Sequence, residues 1–272
     1  MQNAILSGFL GGVACGIVGV FVILLGLPLI GVAMSHAAFA GAMLGLWLGF
    51  NPLLCAFVAC FIAAAIIGPL ADRGELGADT SVGVIFSLAL GLAFLFMGLT
   101  PGTKSGALEI LWGSILTNTR SDVLVIGIVA AVVIGLVVAF YKEFQATIFN
   151  RETALAVGIP ATAIFYGILF LTGATITASL RPIGGLLVFS LILNPAAAAY
   201  RLTYNLKHMF LLSAGFGALS AWLGLLMSYL LNIPSGATIV IVSSVIFFIA
   251  NVVSPKRRVK RWQKSVLLKE KL

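Results

Sequence analysis

The sequence predicts an all-α, polytopic transmembrane helical bundle of about nine spans, with eight to ten compatible with the pattern. Three observations carry that prediction. The 272 residues are 61% hydrophobic and only 9% charged, against about 25% charged in a soluble domain, and the mean hydropathy is +1.17. Apolar runs near the length of about 20 residues needed to cross a bilayer recur along the chain. No intervening polar segment is long enough to bury a core of its own.

The expected spans are Ala4–Leu25, Ala33–Phe50, Pro52–Ala71, Thr80–Leu99, Asp122–Tyr141, Ala161–Ala178, Pro182–Ala199, Met209–Leu231 and Ala237–Val253. The N-terminus has no basic stretch before its first apolar run, so that run is expected to stay as a span. Residues 1–253 form the membrane domain and 254–272 a basic tail. Gly26–Val32 is apolar enough for the first turn to lie within the membrane. Ser105–Leu116 reads as a short helix across an entrance. Pro182 is expected at the first position of its helix. Arg181 before it is read as a lipid anchor, with capping of a neighbouring helix as the alternative. Asn194-Pro195 is expected to break or kink a span, or merely to bend it.

Charge sets the orientation. The tail after Ser254 holds eight basic residues and one acid, which is +7 of the chain's +8. Basic residues beyond a final span mark the cytoplasmic face, and their expected contact is anionic lipid rather than nucleic acid. With nine spans the N-terminus is then outside, and Asp72–Asp79, Lys142–Pro160 and Tyr200–His208 face the cytoplasm.

Lys142–Pro160 is too polar to cross a bilayer and too patterned to be slack loop. Asn150 is a good N-cap and Glu152 sits where the helix dipole favours an acid. Arg151 opens the helix, Leu155 belongs to a small apolar face, Gly158 suits a left-handed C-terminal stop, and Pro160 forbids continuation. A short stiff helix between two spans is placed to be presented to a partner.

Few residues carry chemistry. His36 is the histidine that falls within an expected span, which makes it a candidate for a metal or pathway contact; the alternative is a ring bonded to Ser35 or a nearby carbonyl. Ser35 and Asn194 are the other pathway candidates. Gly8, Gly12 and Gly16 step by four, as do Gly41, Gly45 and Gly49, a spacing for close helix packing within the chain or across a homodimer seam. Cys15, Cys55 and Cys60 lie in apolar runs and read as small core residues without disulfides. No Walker A loop, HExxH or CxxCH occurs, so ATP hydrolysis or hydrolase chemistry is not expected on this chain.

Six stretches together resemble one family. Leu29–Gly49, LIGVAMSHAAFAGAMLGLWLG, resembles the SLxGDALSHAxLPGVAxAFLLG segment of the zinc/manganese permeases of ATP-binding-cassette importers. Gly77–Ser87 is similar to xEDTAIGIxFS, and Trp112–Leu116 followed by Asp122 to GSIL…D. Arg151–Pro160 resembles DPELAxxLGIP, Ala178–Ala199 VSLKxVGxLLVxALLxxPAATA, and Ile233–Val242 LPTGPxIVLV. Val32 departs from the pattern, standing where the family carries an Asp one turn before the His, and Leu25-Gly26 lies near the site of the family's basic pair.

The resemblance implies type II importer architecture, shared with cobalamin and siderophore permeases. It implies a homodimer in a prokaryotic plasma membrane with a cytoplasmic C-terminus. Glu152–Gly158 would be the coupling helix, seated in a separate ATPase subunit, and an extracytoplasmic binding protein would deliver the metal. The cargo would be zinc or manganese, or iron; the chain itself would bind no cofactor. The competing functions are a cobalamin or siderophore permease and, lower, a self-sufficient secondary transporter.

Overall fold

The computed structural model of the chain describes residues 2–72, 78–100, 113, 115 and 118–256. Among them the helices are α1 (Gln2–Leu24), α2 (Ile30–Leu48), α3 (Pro52–Asp72), α4 (Ala78–Leu99), α5 (Arg120–Ala139), α6 (Tyr141–Phe149), α7 (Arg151–Ala156), α8 (Ala161–Ile183), α9 (Gly185–Leu202), α10 (Leu206–Leu231) and α11 (Ser235–Val253). Eight are long and apolar enough to span a membrane, and α9 contributes the shorter apolar run Leu187–Leu202. Each expected span therefore has its helix.

Burial sorts these helices into two shells. The apolar windows of α1 and α2 are 72% buried and that of α8 61%, whereas α4 and α5 are only 22% buried. The outer helices present Leu88, Leu95, Leu124, Ile128 and Val138 outward, which is stable only against lipid or another apolar surface. Two groups of helices meet at the centre. α2 packs with α3 and α4; α1 packs with α10, α9 and α5; α8 touches both groups.

The glycine spacing explains the tightest seam. A Cβ at Gly12 would strike the Gly217 carbonyl and one at Gly16 the Ser213 carbonyl, while Gly8 faces Ala221. The stripe on α1 thus runs antiparallel to a second small-residue stripe at 213, 217 and 221 on α10, and the Ser213 hydroxyl donates to the Gly16 carbonyl at 2.6 Å. Close backbone approach of this kind replaces the hydrophobic drive that lipid removes. Gly41 and Gly45 do the same for α2 against Cys55 and Ala59 of α3, so packing within the chain accounts for them. Gly49 has another role: its φ of +74° ends α2.

Several boundaries differ from expectation for local reasons. Thr119 and Asp122 form a capping box at the start of α5, so that helix begins before Asp122; it stops at Ala139, and the following residues make α6 rather than a span end. Pro182 is not at the first position of its helix but in the last turn of α8. The break falls at Gly184, whose φ of +99° disfavours any side chain. Gly113 sits backbone-to-backbone against this break. α9 runs through Pro195 without interruption, so Asn194-Pro195 does not end it. Arg181 meets Asp122 at 3.8 Å, a partner on a neighbouring helix start. α1 closes with Gly26 at φ +70°, bonded as Leu27 N–H to Val22 C=O and Gly26 N–H to Ile23 C=O, and Leu27 is 6% exposed. Apart from Gly113 and Ile115, the expected helix Ser105–Leu116 lies outside the described residues, as does the basic tail beyond Lys256.

Candidate functional site

Three places hold the candidate residues: α2, the α6–α8 elbow, and Asn194 on α9. At the elbow the local rules are met in full. The Asn150 side chain accepts from the Thr153 N–H at 2.9 Å, capping α7. At the other end the Ile159 N–H reaches the Ala154 carbonyl and the Gly158 N–H the Leu155 carbonyl, both at 3.0 Å, with Gly158 at φ +85°. This is a Schellman stop, in which two otherwise orphaned carbonyls are satisfied at once.

A six-residue helix would not persist alone, and this one is braced. The Arg151 guanidinium lies 4.9 Å over the Phe165 ring and donates to the Thr162 hydroxyl at 3.1 Å, tying the start of α7 to the first turns of α8. Ala154 is buried at 2%, while Leu155 and Val157 are 48% and 69% exposed. Glu152 is exposed beside them. A rigid turn of helix thus offers two apolar side chains and one carboxylate to its surroundings.

Within α2 the His36 ring is half-buried. Its Nδ1 lies 2.9 Å from the Val32 carbonyl, and its edge meets Phe86 of α4 with ring centroids 4.9 Å apart. A carbonyl only accepts, so Nδ1 carries the hydrogen, and in the neutral ring Nε2 keeps a lone pair able to ligate a cation. The neighbouring Ser35 hydroxyl donates to the Gly31 carbonyl at 2.7 Å. Asn194 is held elsewhere, its Nδ2 donating to Ser243 and Ser244 of α11 at 3.0 Å each, which leaves Oδ1 as its remaining cation-binding atom. The structure brings Ser35 and His36 together by sequence and sets Asn194 against α11. Among the described residues no cluster of three or more His, Cys, Asp or Glu could hold a metal ion, so the arrangement offers single contacts rather than a cage. Cys15 and Cys60 are buried and Cys55 half-buried, all free.

Sequence reasoning missed two features. Thr119-x-x-Asp122 is a readable capping signature. The second is a cleft of about 910 Å³ near the same elbow, lined in part by Tyr141, Lys142, Lys207 and Lys256; the signal was tyrosine and lysine recurring at span ends, the pattern of a membrane interface.

Comparison with known proteins gives a consistent picture. The model of the ABC 3 transport family matches residues 1–254. The manganese transport system membrane protein MntC of Listeria monocytogenes is 34% identical over 94% of this chain and 91% of its own. The manganese import system permease protein ScaB of Streptococcus gordonii is 31% identical over 95% and 92%. A probable iron transport system membrane protein of Haemophilus influenzae is 32% identical over 94% and 90%. Among solved structures, PsaBC from Streptococcus pneumoniae in complex with Fab superposes with a TM-score of 0.86 at 31% identity, covering 96% of this chain and 94% of that one. An inward-facing putative metal-chelate type ABC transporter shares the fold with a TM-score of 0.76 at 15% identity, over 92% and 84%.

Proposed function

The chain belongs to the ABC 3 transport family, and from that premise we propose that it is the membrane-spanning permease of an ATP-driven importer of divalent transition metal, with manganese as the principal cargo. The manganese permeases matched over nearly their whole length support this choice of metal; the iron-transport relative keeps iron as a secondary cargo, and zinc stands third. ATP is hydrolysed on a separate subunit, and an extracytoplasmic binding protein supplies the metal. The permease works as a homodimer in a prokaryotic plasma membrane, with α7 and the C-terminus in the cytoplasm.

The observation that carries the coupling role is the doubly capped, exposed α7. Helical stiffness lets a push on Glu152, Leu155 or Val157 reach α8 without being absorbed, because Arg151 locks the two elements together. α8 crosses the centre of the bundle to the break at Gly184, so its displacement alters how α1–α9–α10 sits against α2–α3–α4. The cargo passes rather than rests. Nε2 of His36 offers one ligand, and Val32 supplies no carboxylate on the same helix face. Weak single contacts suit conduction, which fails when a site holds its ion tightly.

The test is metal entry into liposomes carrying the chain with its ATPase and binding protein. ATP-dependent manganese entry exceeding that of zinc and iron is expected. Entry at the same rate without the ATPase would overturn the proposal. The double variant Glu152→Arg, Leu155→Asp is expected to lower uptake by at least about tenfold while inserting and folding as the parent; undiminished uptake would remove α7 from the coupling path.

A further inference from the structure

The cleft of about 910 Å³ beside the elbow lies where α1 and α10 pass from apolar span to polar connection, and its walls come from α6, the α9–α10 connection and Lys256. Among the described residues three ammonium groups line it, those of Lys142, Lys207 and Lys256, and no acid does; Glu143 of α6 follows Lys142 without joining the lining. Two of the three are held in place by tyrosine faces. Lys256 Nζ stands 3.9 Å from the Tyr200 ring centroid and 4.3 Å from that of Tyr204, and it donates to the Tyr200 carbonyl. Lys207 Nζ stands 5.4 Å over Tyr141. Burial, with Arg201 beside it, pulls Lys256 below its ordinary pKa, so the free cleft disfavours the charge it carries and an anion there would relieve that cost.

The lining also has the apolar side chains of Leu24, Ile148, Leu206 and Met209 beside the polar Gln145, Thr203 and Asn205, and the lip carries Phe149 and Tyr204, which are 92% and 75% exposed. Cations held over aromatic rings, with apolar side chains beside them and exposed Phe149 at the lip, fit a phosphate attached to acyl chains. They fit an acidic peptide less well, because the helical walls leave no strand edge for an extended backbone. We propose that this cleft binds the phosphate headgroup of an anionic phospholipid, wedged between α6 and the α9–α10 connection next to α7. The site is independent of which metal the permease carries.

The test uses the full chain in non-ionic detergent, titrated in parallel with short-chain phosphatidylglycerol, phosphatidylcholine and inorganic phosphate, and followed by thermal unfolding. Phosphatidylglycerol is expected to raise the midpoint beyond phosphatidylcholine. Each of Lys207→Gln and Lys256→Gln should weaken that binding by about fivefold, and the triple variant with Lys142→Gln should abolish the lipid preference. Lys264→Gln with Lys269→Gln, in the tail, should leave it intact. Equal response to the two lipids, an undiminished phosphatidylglycerol affinity in the single lysine variants, a preference kept in the triple variant, or one lost with the tail lysines would overturn the proposal. So would an equal shift from inorganic phosphate, which would make the occupant a free anion. Loss of the lipid preference when the ATPase is added would reassign the cleft to the protein partner.

Discussion

Asp122 does two jobs, and they differ in worth. Its carboxylate accepts from the Thr119 N–H at 3.0 Å and the Thr119 hydroxyl at 2.6 Å, and it lies 3.8 Å from Arg181. The cap is local and holds α5; the ion pair joins a carboxylate 11% exposed to a guanidinium 47% exposed, a setting where the median contribution is below about 1 kcal/mol. Asp122→Ala is therefore expected to cost about 1 kcal/mol or more, and Arg181→Ala a fraction of that, read as thermal midpoints in the same detergent. Equal losses would show that the pair, and not the cap, holds α5. Asn150→Ala should likewise cost about 1 kcal/mol, and the loss should appear as faster amide exchange confined to 151–156. Both ends of α7 were legible in the sequence because a cap and a left-handed glycine act within four residues of themselves. The partner of Arg181 was not, since Asp122 is distant in sequence and only the packing of α5 on α8 brings it near.

At the scale of the element, glycine position decides more than glycine count. Gly12 faces the Gly217 backbone and Gly135 of α5 faces nothing within 4 Å. Gly12→Leu should force α1 from α10, costing about 3 kcal/mol or preventing folding. Gly135→Ala should be neutral or stabilising by up to about 1 kcal/mol. Thermal unfolding of the two variants checks this contrast, and the reverse order would mean that α1 and α10 do not pack through these stripes. The period of four on α1 was plain in the sequence, but its mate at 213, 217 and 221 includes a serine and an alanine and did not stand out. The α8–α9 boundary was misread for a related reason. Pro182 looked like a helix start, yet proline at this point only removes an N–H near the end of a helix that has already been built, and the turn itself needed the positive φ of Gly184. α6 was hidden because its polar residues read as the approach to a loop, when Phe144 and Thr147 in fact bury one side of it.

For the whole molecule, composition pointed to membrane residence and to about nine spanning helices, since both follow from bilayer thickness and from the need to satisfy every backbone group in lipid; eight of the described helices are long and apolar enough to span, with α9 as a shorter apolar run. Which helices lie inside was less accessible, because α1 and α5 are about equally apolar while one is buried and the other faces outward. The candidate path was only partly legible: His36 announced itself by being ionisable among apolar neighbours, and its bond to the Val32 carbonyl one turn back is the local contact offered as the alternative, but its contact with Phe86 depends on how α2 turns toward α4. The distribution of thiols has a practical consequence. Two of the three cysteines are sealed in the interior and the third, Cys55, is half-accessible on α3 with its sulfur 3.1 Å from where a Cβ on Gly45 of α2 would sit. The natural protein therefore already carries one reporter position at the joint between two spans, and the rate at which a lipid-permeant maleimide tags it would time the parting of those spans during a transport cycle without any engineered label.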